Sequence, residues 1–204
     1  MALTDEFPAP EPGDVGLTWI TGWTGFWVSL GQWLAGDGGL WPWARIRQAR
    51  KLIRIASGKK VKLPRGFPTH AFVVLPNGMI FEAQPGGARI GSMTRYAGRP
   101  ILFAKIPLTN EQRDRVLPIA TSLVGTPYSF LDYVYLALWR FGFRPVWLRD
   151  AVKTSGHMIC SQAVDKVEEM IDMNLFTDAR LNQDVTPGDL FELFEVRGWW
   201  DVAA

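Results

Sequence analysis

The stretch Thr69–Gln84 constrains the fold more than any other part of the chain. Thr69-His70-Ala71-Phe72-Val73-Val74-Leu75 is apolar and carries β-branched residues, and Met79–Gln84 is a second such run. Between them stands Pro76-Asn77-Gly78. Pro at the first loop position, Asn next and Gly at a left-handed position predict a three-residue hairpin loop with a bulge. That loop pairs Leu75 with Met79 and sets the register of the whole ladder. His70 then lies opposite Gln84, and Glu82 lies diagonal to His70 on the same face. A two-residue turn would shift the register by one and turn Glu82 to the other face. The sheet is therefore expected to be antiparallel.

Other elements follow from local chemistry. Pro12-Gly13-Asp14 reads as a turn leading into a short strand, Val15–Ile20. Trp23–Ala35 reads as a helix weakened by Gly25 and Gly31. Ile101–Leu108 is a third strand associated with the hairpin. Thr109 and Gln112 form a capping-box pattern that opens a helix running to about Val124 and ending at Gly125. Phe130–Phe141 is a second, apolar helix. Ile159–Met173 is a third, with Ala163, Val167 and Met170 on one stripe and Ser155 or Gly156 as its preceding cap. Thr186-Pro187-Gly188-Asp189 reads as a turn, and Leu190–Val196 as a final strand. Strands and helices in this order give an α+β fold with an antiparallel sheet packed against helices. Residues 1–11 read as an extended leader, 12–198 as a single domain and 199–204 as a tail.

Apolar residues make up 48% of the 204, enough for a sizeable core. Six of the ten Trp fall between Trp19 and Trp43. The 22 residues between Asp14 and Asp37 are uncharged, but only 12 are apolar and five are Gly. That content suits a buried or interfacial segment better than a membrane span. The acidic, Pro-rich start lacks the basic region of a signal peptide. A soluble protein is expected, cytoplasmic or part of a larger particle.

The net charge of +2 hides an asymmetry. Nine Lys or Arg and no acid lie between Arg45 and Arg65, so the remainder holds 13 basic against 20 acidic residues, about −7. Ala44–Ala56 has the spacing of a basic amphipathic helix. Residues 36–66 read as a Gly-rich and basic insertion. Residues 41–65 are the candidate contact with an anionic membrane surface, while nucleic acid is not an expected partner.

The reactive inventory is small: one cysteine, Cys160, and two histidines, His70 and His157. One cysteine makes neither an internal disulfide nor a Cys-based zinc site. There is no glycine-rich phosphate loop and no metal-ligand cluster, so no cofactor is expected. Cys160 begins a predicted helix, where the free N–H groups and macrodipole favour a thiolate. A thiolate needs a proton acceptor, and imidazole is the usual one. His70 sits on a strand face with Glu82 or Gln84 available on the paired strand to orient it. His157, three residues before Cys160, is the competing base.

The residues also resemble a known group, the circularly permuted papain-like hydrolases of the NlpC superfamily. The likeness is greatest to the YiiX-like branch, related to lecithin retinol acyltransferase. It rests on Pro12-Gly13-Asp14-Val15, Thr69–Val74, Gly78–Ala83, Gly125-Thr126-Pro127-Tyr128-Ser129-Phe130, Ile159–Val164 and Thr186–Leu190, and spans about residues 12–196. It implies a permuted papain-like fold with Cys160 as nucleophile, His70 as base and Glu82 as the third member. The Cys160 N–H would help to bind an oxyanion. Gln84 and Tyr128 are the supporting candidates. The activity implied is a cysteine hydrolase or acyltransferase acting on an amide or ester, with a peptide, peptidoglycan or lipid-type substrate. The rival reading is a non-catalytic binding or structural component on the same fold, with the Trp-rich and basic segment as its contact surface. The sequence leaves the oligomeric state open.

Overall fold

The computed structural model describes residues 9–20, 68–128, 158–177 and 185–200. The predicted helices Trp23–Ala35 and Phe130–Phe141, the basic insertion and His157 lie outside them. The described residues form an α+β fold with five strands and three α-helices: β1 Val15–Thr18, β2 His70–Val74, β3 Met79–Gln84, β4 Gly87–Ser92, β5 Ile101–Ala104, α1 Asn110–Ser122, α2 Cys160–Met170 and α3 Pro187–Arg197. The strands make one antiparallel sheet in the order β4-β3-β2-β1-β5.

The hairpin has the predicted register. Val73 pairs with Phe81 and Val74 with Ile80, and the Leu75 N–H donates to the Met79 carbonyl at 2.8 Å. Asn77 and Gly78 both take left-handed backbone, φ 59° and 69°, which is why Asn-Gly suits this loop.

β1 sits between β2 and β5. Gly16 faces Phe72 across the ladder, and a Cβ there would lie 2.2 Å from the Phe72 ring. Only glycine fits so close an approach. The turn before β1 is held by Asp14, which is fully buried. Its carboxylate accepts from the Glu11 N–H at 2.8 Å and pairs with Lys105 and Arg113 at 3.1 and 3.3 Å. The Gly13-Asp14 opening is thus an anchor between β1, β5 and α1.

Strand alternation divides the apolar residues. Val15, Leu17, Ala71, Val73, Phe81, Leu102 and Ala104 enter the main core with Ala163, Val164 and Val167 of α2 and Leu190, Phe191 and Phe194 of α3. Phe72, Val74 and Ile80 have the opposite parity and pack with Tyr96 in a second cluster. His70 shares that second parity.

Four expectations are corrected. Leu190–Val196 is not a strand: α3 covers Pro187–Arg197, with Thr186 as N-cap, Asp189 closing the capping box and Gly198 in left-handed backbone at its end. The apolar residues Leu190, Phe191 and Phe194 recur at helical rather than alternating spacing. The third strand stops at Ala104 and pairs with β1, not with the hairpin. The N-cap of α2 is Ile159, whose N–H is taken by the Gln162 side chain at 2.9 Å. Finally, Trp199 and Trp200 belong to the packed domain rather than to a tail. Trp200 bridges to Ala104 and its ring centroid lies 5.2 Å from Phe191 and 5.5 Å from Phe194.

Candidate active site

Cys160 is the first residue of α2 and His70 the first residue of β2. Helix geometry leaves the first-turn N–H groups, that of Cys160 among them, without an acceptor inside the helix. The packing of α2 against β2 and β3 brings this end to the start of β2. Ser161 secures it by donating to the Val185 carbonyl at 2.7 Å. Thr69, just before His70, accepts from the Ile20 N–H at 2.7 Å, which ties the entry of β2 to the exit of β1.

His70 is hydrogen-bonded to the side chains of both Glu82 and Cys160. The Glu82 contact is Nε2 to Oε2 at 2.9 Å. With Nε2 committed, Nδ1 is the ring nitrogen left for the thiol. Cys160 is 2% exposed, His70 1% and Glu82 0%.

Burial opposes charge on the His70 imidazole. The hydrogen bond and charge of Cys160, then those of Glu82, outweigh it and raise the pKa from 6.5 to about 9. Burial likewise pushes the Glu82 carboxyl up, but hydrogen bonds from His70, Tyr96 and Arg89 and the His70 charge bring it from 4.5 down to about 2. The site therefore favours an ionised Glu82 and a protonated imidazole across neutral pH.

The predicted residues separate into two groups. Cys160, His70 and Glu82 come together. Gln84 stands behind them: its Nε2 donates to Glu82 Oε2 at 2.9 Å and to Tyr96 Oη at 2.6 Å. Tyr128 forms a parallel bridge with Met158, two residues ahead of Cys160, and packs on the main core. The phenol on Glu82 is instead that of Tyr96, which donates a short hydrogen bond to Oε2.

Two members of the site escape a reading by sequence alone, Arg89 and Tyr96. Arg89 lies directly opposite Glu82 in the β3–β4 ladder. It donates to Glu82 Oε1 from Nε at 3.0 Å and Nη2 at 2.9 Å, and from Nη2 to Gln84 Oε1 at 2.6 Å. The signal for it was Pro85-Gly86, a two-residue turn with Gly86 at φ 107°. Recognising that turn sets Gln84 against Gly87 and so Glu82 against Arg89. Tyr96 ends a 3-10 turn, Met93–Tyr96, and no local pattern marks it.

Among the described residues, no group of three or more His, Cys, Asp or Glu is placed to hold a metal ion. No helix among them is long and apolar enough to cross a membrane.

No protein-family model matches the sequence, and no curated protein matches it. Among solved structures, the chain is similar to the metalloprotein yiiX from Escherichia coli O157:H7. That likeness has a TM-score of 0.46 at 14% sequence identity, over 90% of this chain and 82% of that one.

Proposed function

We propose that the protein is a cysteine hydrolase or acyltransferase of the permuted papain-like, NlpC type, cleaving an amide or ester through Cys160, His70 and Glu82. The observation that carries this reading is the imidazole of His70 bonded to the lone cysteine on one side and to a buried carboxylate on the other. A buried carboxylate is costly unless it is paired, and here its charge serves the imidazolium.

In this reading the Cys160 thiolate attacks the carbonyl carbon. The Cys160 N–H, at the start of α2, donates to the developing oxyanion. His70 gives its proton to the leaving amine or alkoxide as the tetrahedral intermediate collapses to a thioester. Neutral His70 then takes a proton from water, or from an acceptor hydroxyl or amine, as that nucleophile attacks the thioester. Glu82 stays ionised and keeps the ring oriented throughout. Peptide and lipid acyl groups both fit this chemistry. The basic segment 41–65 favours a substrate presented at an anionic surface.

Because the chain has a single cysteine, labelling stoichiometry reports the site directly. A thiol-directed acylating probe at neutral pH is expected to label the folded protein once, and Cys160→Ala not at all. His70→Ala is expected to slow labelling by about 100-fold or more. If the folded protein goes unlabelled, or His70→Ala reacts as fast as wild type, the chain is a binding component and not an enzyme.

A further inference from the structure

We infer that Arg89 and Tyr96 are positioning residues, which clamp Glu82 as an ionised carboxylate and set how strongly it holds the proton on His70. This deepens the cysteine-hydrolase reading and rests on it for its catalytic meaning.

Both oxygens of the fully buried Glu82 are engaged. Oε1 takes the two Arg89 donors; Oε2 takes His70, Gln84 and Tyr96. Gln84 closes the circuit, accepting from Arg89 and donating to Glu82 and Tyr96. Tyr96 cannot swing away freely. Its ring stacks on Phe72 at 5.4 Å and 9°, lies 5.7 Å from the His70 ring, and carries the Arg99 guanidinium 5.6 Å from its centroid. Arg89 is the solvent-facing member, its side chain 34% exposed.

Among the described residues, the groups facing His70 are therefore Cys160 from α2, Glu82 from β3, Arg89 behind Glu82 from β4, and Tyr96 from the 3-10 turn. Arg89 and Tyr96 draw on the same carboxylate that stabilises the imidazolium, and Arg89 adds a positive charge near it. Each therefore weakens the hold of Glu82 on the His70 proton. Too strong a hold would leave His70 a poor proton donor to the leaving group. The clamp tunes the base while it fixes the geometry.

The sign of the effect makes this testable without a substrate. In a His157→Gln background, imidazole NMR follows His70 alone. Arg89→Met is expected to raise the His70 midpoint by about one pH unit. Tyr96→Phe is expected to raise it by a few tenths. Arg89→Lys keeps the charge and is expected to restore the midpoint, while losing the two-donor geometry and with it Cys160 labelling rate. A merely structural role predicts the opposite sign, since loosening the site weakens the Cys160 and Glu82 contacts that raise the His70 midpoint and lets it fall toward 6.5. A midpoint that stays or falls in folded Arg89→Met overturns the inference. If Arg89→Met does not fold, Tyr96→Phe decides by the same sign. Cys160→Ala tests the underlying reading separately: a His70 midpoint unmoved by loss of the thiolate defeats the hydrolase, whatever Arg89 does.

Discussion

Glu82 and His70 tie the integrity of the site to pH. The folded pKa of Glu82 is depressed from 4.5 to about 2 by its hydrogen bonds outweighing burial. Its contribution to stability is therefore present above 4.5 and lost as pH falls through about 2. The His70 value is raised from 6.5 to about 9, the contacts with Cys160 and Glu82 outweighing burial. Its contribution is full below 6.5 and lost as pH rises through about 9. The two overlap fully between 4.5 and 6.5. Glu82→Ala removes the partner of a buried imidazolium and the carboxylate that accepts from Arg89, Gln84 and Tyr96. Stranding the buried imidazolium is expected to cost about 3 to 5 kcal/mol. Urea unfolding across pH checks this: the gap between wild type and Glu82→Ala should be widest between 4.5 and 6.5 and shrink toward either extreme. A gap independent of pH would mean that the pair is held by shape and not by charge.

The helix that begins with Cys160 also carries a buried acid. Glu168 of α2 is fully buried, and among the described residues neither carboxyl oxygen has a hydrogen-bond partner. Burial pushes its pKa well above 4.5; Arg113 of α1 opposes this, while Asp14 and Asp165 add to it. The sign follows: the protonated form folds without penalty from charge, and stability is lost as pH rises through the raised value. Glu168→Met, of similar volume and uncharged, is expected to stabilise the fold at neutral pH by about 1 to 3 kcal/mol. It should also flatten the loss of thermal stability expected as pH rises above 4.5; an unchanged loss would mean that the Glu168 charge carries no penalty in the fold. Elements differ in how plainly the sequence shows them, for a physical reason. The β2–β3 hairpin is legible because Pro76-Asn77-Gly78 fixes its register locally, and α1 because Thr109 and Gln112 cap it. β4 is masked by glycine at positions 87 and 91, which erases the alternation a strand usually shows. α3 is misread because Leu190–Val196 is apolar enough for either element; the capping pair Thr186 and Asp189 and the spacing of its phenylalanines decide for helix. Cys160, His70 and Glu82 are visible through their order along the chain, whereas Arg89 is legible only through the register that the Pro85-Gly86 turn sets, and Tyr96 reaches Glu82 from a 3-10 turn that no local pattern marks.

Across the whole molecule, charge is divided so that one stretch opposes the rest. Residues 45–65 hold nine Lys or Arg and no acid, and the remainder carries about −7. An anionic surface would attract the first and repel the second. Each Lys or Arg near such a surface contributes about 1 kcal/mol, over a range set by the Debye length, about 10 Å at 0.1 M salt. We therefore expect the protein to sediment with phosphatidylcholine vesicles that contain phosphatidylserine, but not with phosphatidylcholine alone. Raising salt to about 1 M, where the Debye length is about 3 Å, should release it. Replacing Lys59, Lys60, Lys62 and Arg65 by Gln should weaken binding by up to about 4 kcal/mol, or roughly 1,000-fold. The same variant keeps Cys160, His70 and Glu82, and without vesicles it is expected to label at Cys160 as the wild type does. Equal sedimentation with both vesicle types would place the attraction in the Trp-rich segment. No sedimentation with either, under low salt, would remove the membrane surface from the substrate question and leave a dissolved peptide as the acyl donor.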